Sequence, residues 1–214
     1  AACHAVSVPM CPIAMCFVGG WITGQLLRTK EVWLCVFATG FLMLVQMGIM
    51  TQLVDRNKEV GMDPILAVNV MTPIAVIGIV GSVIFGRIVF RLGIKKAGVL
   101  TGLLYIAAML LNVSGIMPLV IIGFLGAAAP NLMNSIPGSV FGRVGYAKVN
   151  SVVFPLASII YMLNFAVNGL IKALFNSLSV AYLVFAVLAL ISILLILALQ
   201  DHKYDQDYMA AHGR

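Results

Sequence analysis

The segment LSVAYLVFAVLALISILLILAL, residues 178–199, fixes the class of this protein. It contains no Lys, Arg, Asp or Glu, and its only polar side chains are those of Ser179, Tyr182 and Ser192. A helix that crosses a membrane needs about 20 consecutive and mostly apolar residues. The segment therefore predicts a transmembrane helix that presents most of its surface to lipid.

The composition of the whole chain agrees with this prediction. Of the 214 residues, 62% are hydrophobic and 9% are charged, and the mean hydropathy is +1.10. A soluble domain carries about 25% charged residues. The composition thus excludes water-soluble enzymes, nucleic-acid-binding modules and disordered tails. The net charge of +6 is better explained by orientation in a membrane than by a nucleic-acid partner.

Five further segments of this kind precede residues 178–199. Together they predict six spans without Lys, Arg, Asp or Glu, at residues 32–54, 64–85, 97–113, about 115–140, 149–171 and 178–199. Proline and glycine within them are tolerated in membrane helices, because neighbouring helices satisfy the freed backbone groups. We expect an all-α, polytopic membrane domain over residues 25–200 and a cytoplasmic tail at 201–214. Residues 1–24 are interpreted as a connecting segment or the end of a preceding helix, which would make the chain a fragment, with a seventh span as the alternative.

The basic residues of the loops are unevenly divided between the two sides of such a domain. Three lie on one side, at Arg56, Lys58 and Lys172. Ten lie on the other side, at Arg28, Lys30, Arg87, Arg91, Lys95, Lys96, Arg143, Lys148, Lys203 and Arg214. Because Lys and Arg concentrate on the cytoplasmic side, both ends of the six-span block are predicted to be cytoplasmic, in a plasma (inner) membrane.

Amide, hydroxyl and small side chains recur at helical spacing on the first, second, fourth and fifth spans. An unpaired amide in hydrocarbon costs free energy, so these stripes should face other helices or a water-filled cavity. Small and amide residues also join helices without any transport role, and that alternative stays open. The candidate path-lining residues are Thr39, Gln46, Asn69, Thr72, Asn131, Asn134, Tyr161, Asn164 and Asn168. The third and sixth spans are plainest, and no span carries a proton-coupling carboxylate.

Cysteine and histidine indicate neither a cofactor nor a catalytic centre. The four cysteines lie in the first quarter of the chain, at Cys3, Cys11, Cys16 and Cys35, and are interpreted as free thiols in apolar surroundings. The histidines lie near the two ends, at His4, His202 and His212, without zinc-site spacing. The acidic residues are confined to loops and the tail, so no enzymatic activity, metal or cofactor is expected.

The loop after the second span resembles the signature loop of the major facilitator superfamily of transporters. That signature runs glycine, three residues, aspartate, arginine, one residue, glycine and two basic residues. The sequence GRIVFRLGIKK at residues 86–96 matches it at Gly86, Arg91, Gly93 and Lys95, with Phe90 at the aspartate position and Ile94 at the first basic position. The stretches QLLRTKEVW at 25–33 and Phe141-Gly142-Arg143 are similar to the corresponding places in the oxalate/formate antiporter and monocarboxylate branch.

The resemblance implies that the six spans correspond to helices seven to twelve of a twelve-helix carrier. In that family the first and fourth helices of each half line the path, the second and fifth flank it, and the third and sixth support it from outside. The implied function is secondary active transport of a small solute, such as a monocarboxylate, by alternating access. The implied partner is an amino-terminal six-helix half or a second copy, without which the chain is expected to be inactive. A non-transporting membrane scaffold or receptor is the alternative.

One departure from the family bears on the substrate. Oxalate-type carriers hold their dianion with basic residues on the helices that correspond to the second and fifth spans, where this chain offers Asn69, Thr72, Tyr161 and Asn164. A monoanion held by the other half, or a neutral solute, is therefore expected. The basic loop has two interpretations, a cytoplasmic gate or a contact with anionic lipid. Its residues are Gly86, Arg87, Arg91, Gly93, Lys95 and Lys96.

Overall fold

Six long apolar helices make up the described part of the protein. The computed structural model describes residues 29–114, 118–175 and 178–199. The predicted segment 1–24, the tail 201–214, the three histidines and three of the four cysteines lie outside those residues. The spans are Lys30–Glu59, Met71–Leu92 preceded by a short helix Pro64–Asn69, Ile94–Val113, Leu119–Gly142, Tyr146–Leu174 and Leu178–Ala198. All are long and apolar enough to cross a membrane, which confirms the predicted polytopic all-α class.

The ends of the helices follow from local backbone chemistry rather than from hydropathy. The first span continues past the apolar run because charged residues do not end a helix, and the chain turns at Gly61, where φ is 94°. The Asp63 carboxylate accepts hydrogen bonds from the amides of Ile65 and Leu66, at 3.2 and 3.4 Å, and so caps the next helix. The helix is interrupted at Val70, three residues before Pro73, whose ring nitrogen cannot donate to the carbonyl four residues before it.

Two glycines in the left-handed region turn the chain between spans on the basic side. Gly93, with φ 82°, is the single residue between the second and third spans, and its amide donates to the carbonyl of Val89 at 3.0 Å. Gly142, with φ 67°, separates the fourth span from the fifth. Residues with a side chain rarely adopt this conformation. Glycine therefore allows the chain to turn sharply at these two positions.

The first span is the centre of the bundle. Its apolar stretch is 72% buried, against 17% for the second span and 33% for the fifth. It packs on the fourth, fifth and sixth spans, while the third packs on the sixth and the second packs on the fourth. The second and fifth spans therefore present the largest open surfaces of this six-helix unit.

Glycine allows two of these helix pairs to approach closely. A Cβ on Gly123 of the fourth span would lie 3.0 Å from the carbonyl oxygen of Ile74 on the second span, so the two backbones are nearly in contact. A Cβ on Gly102 of the third span would lie 2.3 Å from Cγ1 of Ile193 on the sixth. Small residues at crossings are the usual means by which membrane helices pack without a hydrophobic driving force.

A buried arginine joins three spans at the end of the bundle opposite to the basic loop. The Arg56 Nε donates to the Asn112 side-chain oxygen at 3.0 Å, and Nη2 donates to the Asn112 carbonyl at 2.9 Å. Its Nη1 pairs with Glu59 at 3.0 Å, and the guanidinium carbon lies 5.9 Å from the ring centroid of Tyr182. We call this group the Arg56 clasp. It connects the ends of the first and third spans to the start of the sixth.

Candidate functional site

An open groove of about 560 Å³ lies between the first, second and fourth spans. Its walls combine small residues with a few polar and methionine side chains. They comprise Gln46, Met50, Met71, Ile74, Ala75, Gly78, Ile79, Ser82, Gly123, Gly126 and Ala127. We call it the polar groove. The small residues on the second and fourth spans leave space that larger side chains would fill, and the polar groups are close to the midpoints of their helices.

Gln46 is the polar side chain that the first span supplies to this groove. The hydroxyl of Tyr105, which is fully buried on the third span, donates to Gln46 Oε1 and lies 3.0 Å from the carbonyl oxygen of Leu125. This contact sets the orientation of the amide, because its oxygen is turned toward the tyrosine. The Gln46 Nε2 lies over Gly126, 3.4 Å from where a Cβ would be. A side chain at residue 126 would therefore crowd the amide nitrogen.

A second polar pair lies beside the groove on its other wall. The Nδ2 of Asn131 donates to Ser82 Oγ at 3.1 Å and to the carbonyl of Ala127 at 3.0 Å. Ser82 lines the groove and Asn131 is half-buried behind it. The pair places a hydroxyl, fixed by an amide, across the groove from Gln46. The walls formed by the first and second spans thus each carry one hydrogen-bonding side chain.

The asparagines of the fifth span contact a different part of the first span. Asn168 Nδ2 donates to Thr51 Oγ1 at 3.0 Å, and Asn164 is buried with its Nδ2 on the carbonyl of Tyr161 at 2.9 Å. The Asn164 Oδ1 is buried and has no hydrogen-bond partner in the described part of the chain. Tyr161 itself is half-buried. These residues are not among those that line the polar groove.

The remaining candidate path residues do not meet at the groove. Thr39 is fully buried and its hydroxyl donates to the carbonyl of Cys35 at 2.6 Å. Asn69 and Thr72 are exposed around the start of the second span, and Asn134 is exposed with its amide on the carbonyl of Pro130 at 3.2 Å. Of the candidate path residues, Gln46 lines the groove and Asn131 contacts it through Ser82, while the others lie elsewhere, some buried and some exposed.

The residues of the basic loop lie at one end of the bundle, away from the polar groove. Gly86, Arg87, Arg91 and Lys96 are exposed, while Lys95 is half-buried. Gly93 has the left-handed conformation that ends the second span. Nothing in this arrangement brings a cation to the groove itself.

The groove is mainly apolar and carries two polar side chains, Gln46 and Ser82, and no charged one. Its lining offers amide and hydroxyl groups and thioethers, and no Lys, Arg, Asp, Glu or His. Within residues 29–114, 118–175 and 178–199, no three His, Cys, Asp or Glu side chains are close enough to hold a metal ion. The groove can therefore offer a few hydrogen bonds and apolar contacts, but no counter-charge.

Two of the polar groups at the groove were not among the residues expected from the sequence. Tyr105 lies on the third span, which is otherwise plain, and Ser82 is an isolated hydroxyl in an apolar helix. A buried tyrosine needs a hydrogen-bond partner for its hydroxyl, so a polar contact of Tyr105 could have been predicted from the sequence. The contact of Ser82 could not have been predicted, because it depends on which residue of the neighbouring helix packs beside it.

We expect Tyr105→Phe to destabilise the bundle by about 1–2 kcal/mol, because the buried Gln46 Oε1 loses its hydrogen-bond donor. The loss is measured by unfolding in mixed micelles with increasing sodium dodecyl sulfate, followed by circular dichroism. Tyr161→Phe, in which the ring is half-buried, is the matched control. Equal stability of the two variants would contradict the assigned role of the Tyr105 hydroxyl.

No protein-family model and no curated protein matches this chain.

Proposed function

We propose that this chain is the carboxy-terminal half of a secondary active transporter, which moves a small solute by alternating access. The observation that carries the proposal is the polar groove, which is lined by Gln46 of the first span and by Ser82 of the second, the latter bonded to Asn131 of the fourth. Binding at the bilayer midplane between repeated helical units is the general arrangement of secondary transporters. The similarity of residues 86–96 to the major facilitator signature supports the same proposal.

The proposed cargo is a small organic monoanion, such as a monocarboxylate, or a neutral solute of similar size. The groove supplies hydrogen-bond donors but no cation, so a dianion would lack a counter-charge on this side. A monoanion would receive its charge partner from the opposing unit. We propose that the opposing unit is an amino-terminal six-helix half or a second copy of this chain.

The distribution of open surface supports the need for such a partner. The second span, 17% buried, and the fifth span, 33% buried, flank the central first span and leave their apolar faces uncovered. A second unit seated on the side of these spans that carries the polar groove would close the groove over a solute. The proposed orientation places the basic loop and both ends of the block on the cytoplasmic side of a cell membrane. We propose no enzymatic activity and no cofactor.

The access of water to the polar groove provides a direct test of this proposal. In a background without reactive cysteines, we expect Ser82→Cys in native membranes to react with a hydrophilic thiol reagent at least about tenfold faster than Val83→Cys. Ser82 lines the groove, whereas Val83 is adjacent in sequence, 61% exposed and outside the groove lining, where lipid should cover it. The thiolate forms readily only in water, because burial in apolar surroundings raises the pKa of a cysteine.

Flux measurements complete this test. Vesicles containing the full chain, with its oligomeric state determined, are assayed for saturable uptake of formate, lactate and neutral analogues. Transport that the thiol reagent blocks in Ser82→Cys and spares in Val83→Cys supports the proposal. Equally slow labelling of both cysteines, or saturable uptake by an isolated monomer, would overturn the need for a wet groove closed by a partner.

A further inference from the structure

A second groove, separate from the polar groove, lies on the outer side of the second span. It has a volume of about 440 Å³ and is bounded by the second, third and fourth spans. The lining side chains are apolar throughout and include Val76, Val80, Ile84, Leu104 and Phe124. We call it the apolar groove. Its residues on the second span alternate with those of the polar groove, so the two openings lie on different faces of that helix.

The apolar groove owes its depth to a glycine. A Cβ on Gly81 would lie 3.1 Å from Cδ2 and 3.2 Å from Cα of Phe124, so the second and fourth spans meet closely at the floor. Phe85 contacts Phe124 edge-on, with ring centroids 6.3 Å apart, and holds that ring in place. The walls are formed by exposed side chains, since Val76 and Val80 are each 56% exposed. The apolar groove is therefore open at the surface of the bundle.

A cluster of cations lies at one end of the same helix face. Val76, Val80, Ile84, Arg87 and Arg91 follow at intervals of three or four residues, and such residues form one stripe along a helix. Lys96, at the start of the third span, is exposed at the same end. In the part of the chain that the structure describes, no ion pair joins any of these three cations to an acid.

The distance between the cations and the apolar groove matches the distance between the phosphate and the acyl chain of a phospholipid. At 1.5 Å of rise per residue, Arg91 lies about 10 Å from Ile84 and about 16 Å from Val80 along the helix axis. One leaflet of hydrocarbon is about 15 Å deep. A headgroup phosphate at the cations would therefore place an acyl chain along Ile84 and Val80. A soluble anion would use the cations but would leave the apolar groove unexplained.

We propose that the apolar groove and the Arg87–Arg91–Lys96 cluster form one binding site for an anionic glycerophospholipid. The phosphate and its negative headgroup bind the three cations, and one acyl chain fills the groove between the second, third and fourth spans. The site is formed within this chain and does not depend on the proposed transport function. Its effect is to hold a lipid against the second span at the side of the basic loop.

The expected selectivity follows from the charges. Each Lys or Arg near a membrane surface raises the affinity for an anionic lipid about fivefold. Three such residues therefore raise it about 100-fold. We expect the purified full chain in detergent to bind phosphatidylglycerol about 100-fold more tightly than phosphatidylcholine of the same chain length. Apparent dissociation constants are obtained from native mass spectrometry of a lipid titration. Glycerol 3-phosphate, which lacks acyl chains, should not compete at equal concentration.

Two variants separate the two parts of the site. The triple variant Arg87→Gln, Arg91→Gln, Lys96→Gln should abolish the preference for phosphatidylglycerol, while Lys148→Gln, an exposed cation predicted on the same side, should keep it. Val80→Trp should fill the groove and weaken binding of both lipids about tenfold, while Val83→Trp should not. Both valines are exposed, so neither change disturbs the core.

Three results would overturn the proposal. They are equal affinity of the wild type for the two lipids, an equal loss in the Lys148→Gln control, and displacement of the lipid by glycerol 3-phosphate. Equal effects of Val80→Trp and Val83→Trp would likewise remove the groove from the site. Retention of a monodisperse peak in size-exclusion chromatography shows that each variant is folded before its lipid binding is scored.

Discussion

Gly123→Leu should separate the second and fourth spans and cost about 3 kcal/mol or more of stability. The Cβ alone would lie 3.0 Å from the carbonyl oxygen of Ile74 and 3.0 Å from Cγ2 of Ile77, and a backbone oxygen cannot turn aside as a side chain can. Overpacking of a tight contact typically costs about 1–3 kcal/mol, and a direct clash with backbone lies at the upper end. The same displacement would distort the polar groove, of which Gly123 is a wall.

The measurement is the midpoint of unfolding in mixed micelles, together with the fraction of monodisperse protein. Gly169→Leu is the matched control, because Gly169 is an exposed glycine of the fifth span with nothing within 4 Å of the position of a Cβ. We expect the control to unfold as the wild type does. Similar midpoints for the two variants would mean that the second and fourth spans are not closely packed at Gly123.

Arg56→Met should destabilise the bundle by about 2–3 kcal/mol, because it removes the Arg56 clasp while retaining an apolar stem of similar length. Two hydrogen bonds from the guanidinium to Asn112 are lost, and hydrogen bonds to charged groups contribute more than neutral ones. Arg56→Lys should recover only part of the loss, since an ammonium group cannot reproduce the planar fork of donors. Lys58→Met, two residues away and exposed, is the control.

A double-mutant cycle with Asn112→Ala distinguishes the clasp from a general effect of charge. If the two side chains act through each other, the double variant should be more stable than the sum of the single losses implies. Additivity within about 0.5 kcal/mol would show that Arg56 acts independently of Asn112. Both variants are compared by the same unfolding assay.

Hydropathy predicts the number of spans because a charge inside a bilayer is expensive, and each predicted span is bounded by charged or turn residues. The same criterion misplaces helix ends. The first span continues through Asp55, Arg56, Lys58 and Glu59, since a charged residue ends the apolar stretch but not the helix. Only backbone chemistry at Gly61 ends it. A prediction from glycine and capping residues would therefore place the ends better than one from apolar runs.

The side of a helix on which a polar residue acts is less predictable. Asn131 and Asn134 lie three residues apart on the fourth span, yet one donates to Ser82 of the second span and the other is exposed on its own helix. Their spacing alone predicts similar environments for the two side chains. The difference comes from which neighbour packs beside each, and that depends on contacts such as Gly78 with Gly123. The role of Tyr105 depends in the same way on the first span.

The single-residue joint at Gly93 has a consequence for how the protein is made. With only Gly93 between their helices, the second and third spans form a tight helical hairpin whose tip is residues 86–96. We expect them to leave the insertion machinery together as a helical hairpin. Arg87, Arg91, Lys95 and Lys96 cluster near its tip and would keep that tip on the side of synthesis.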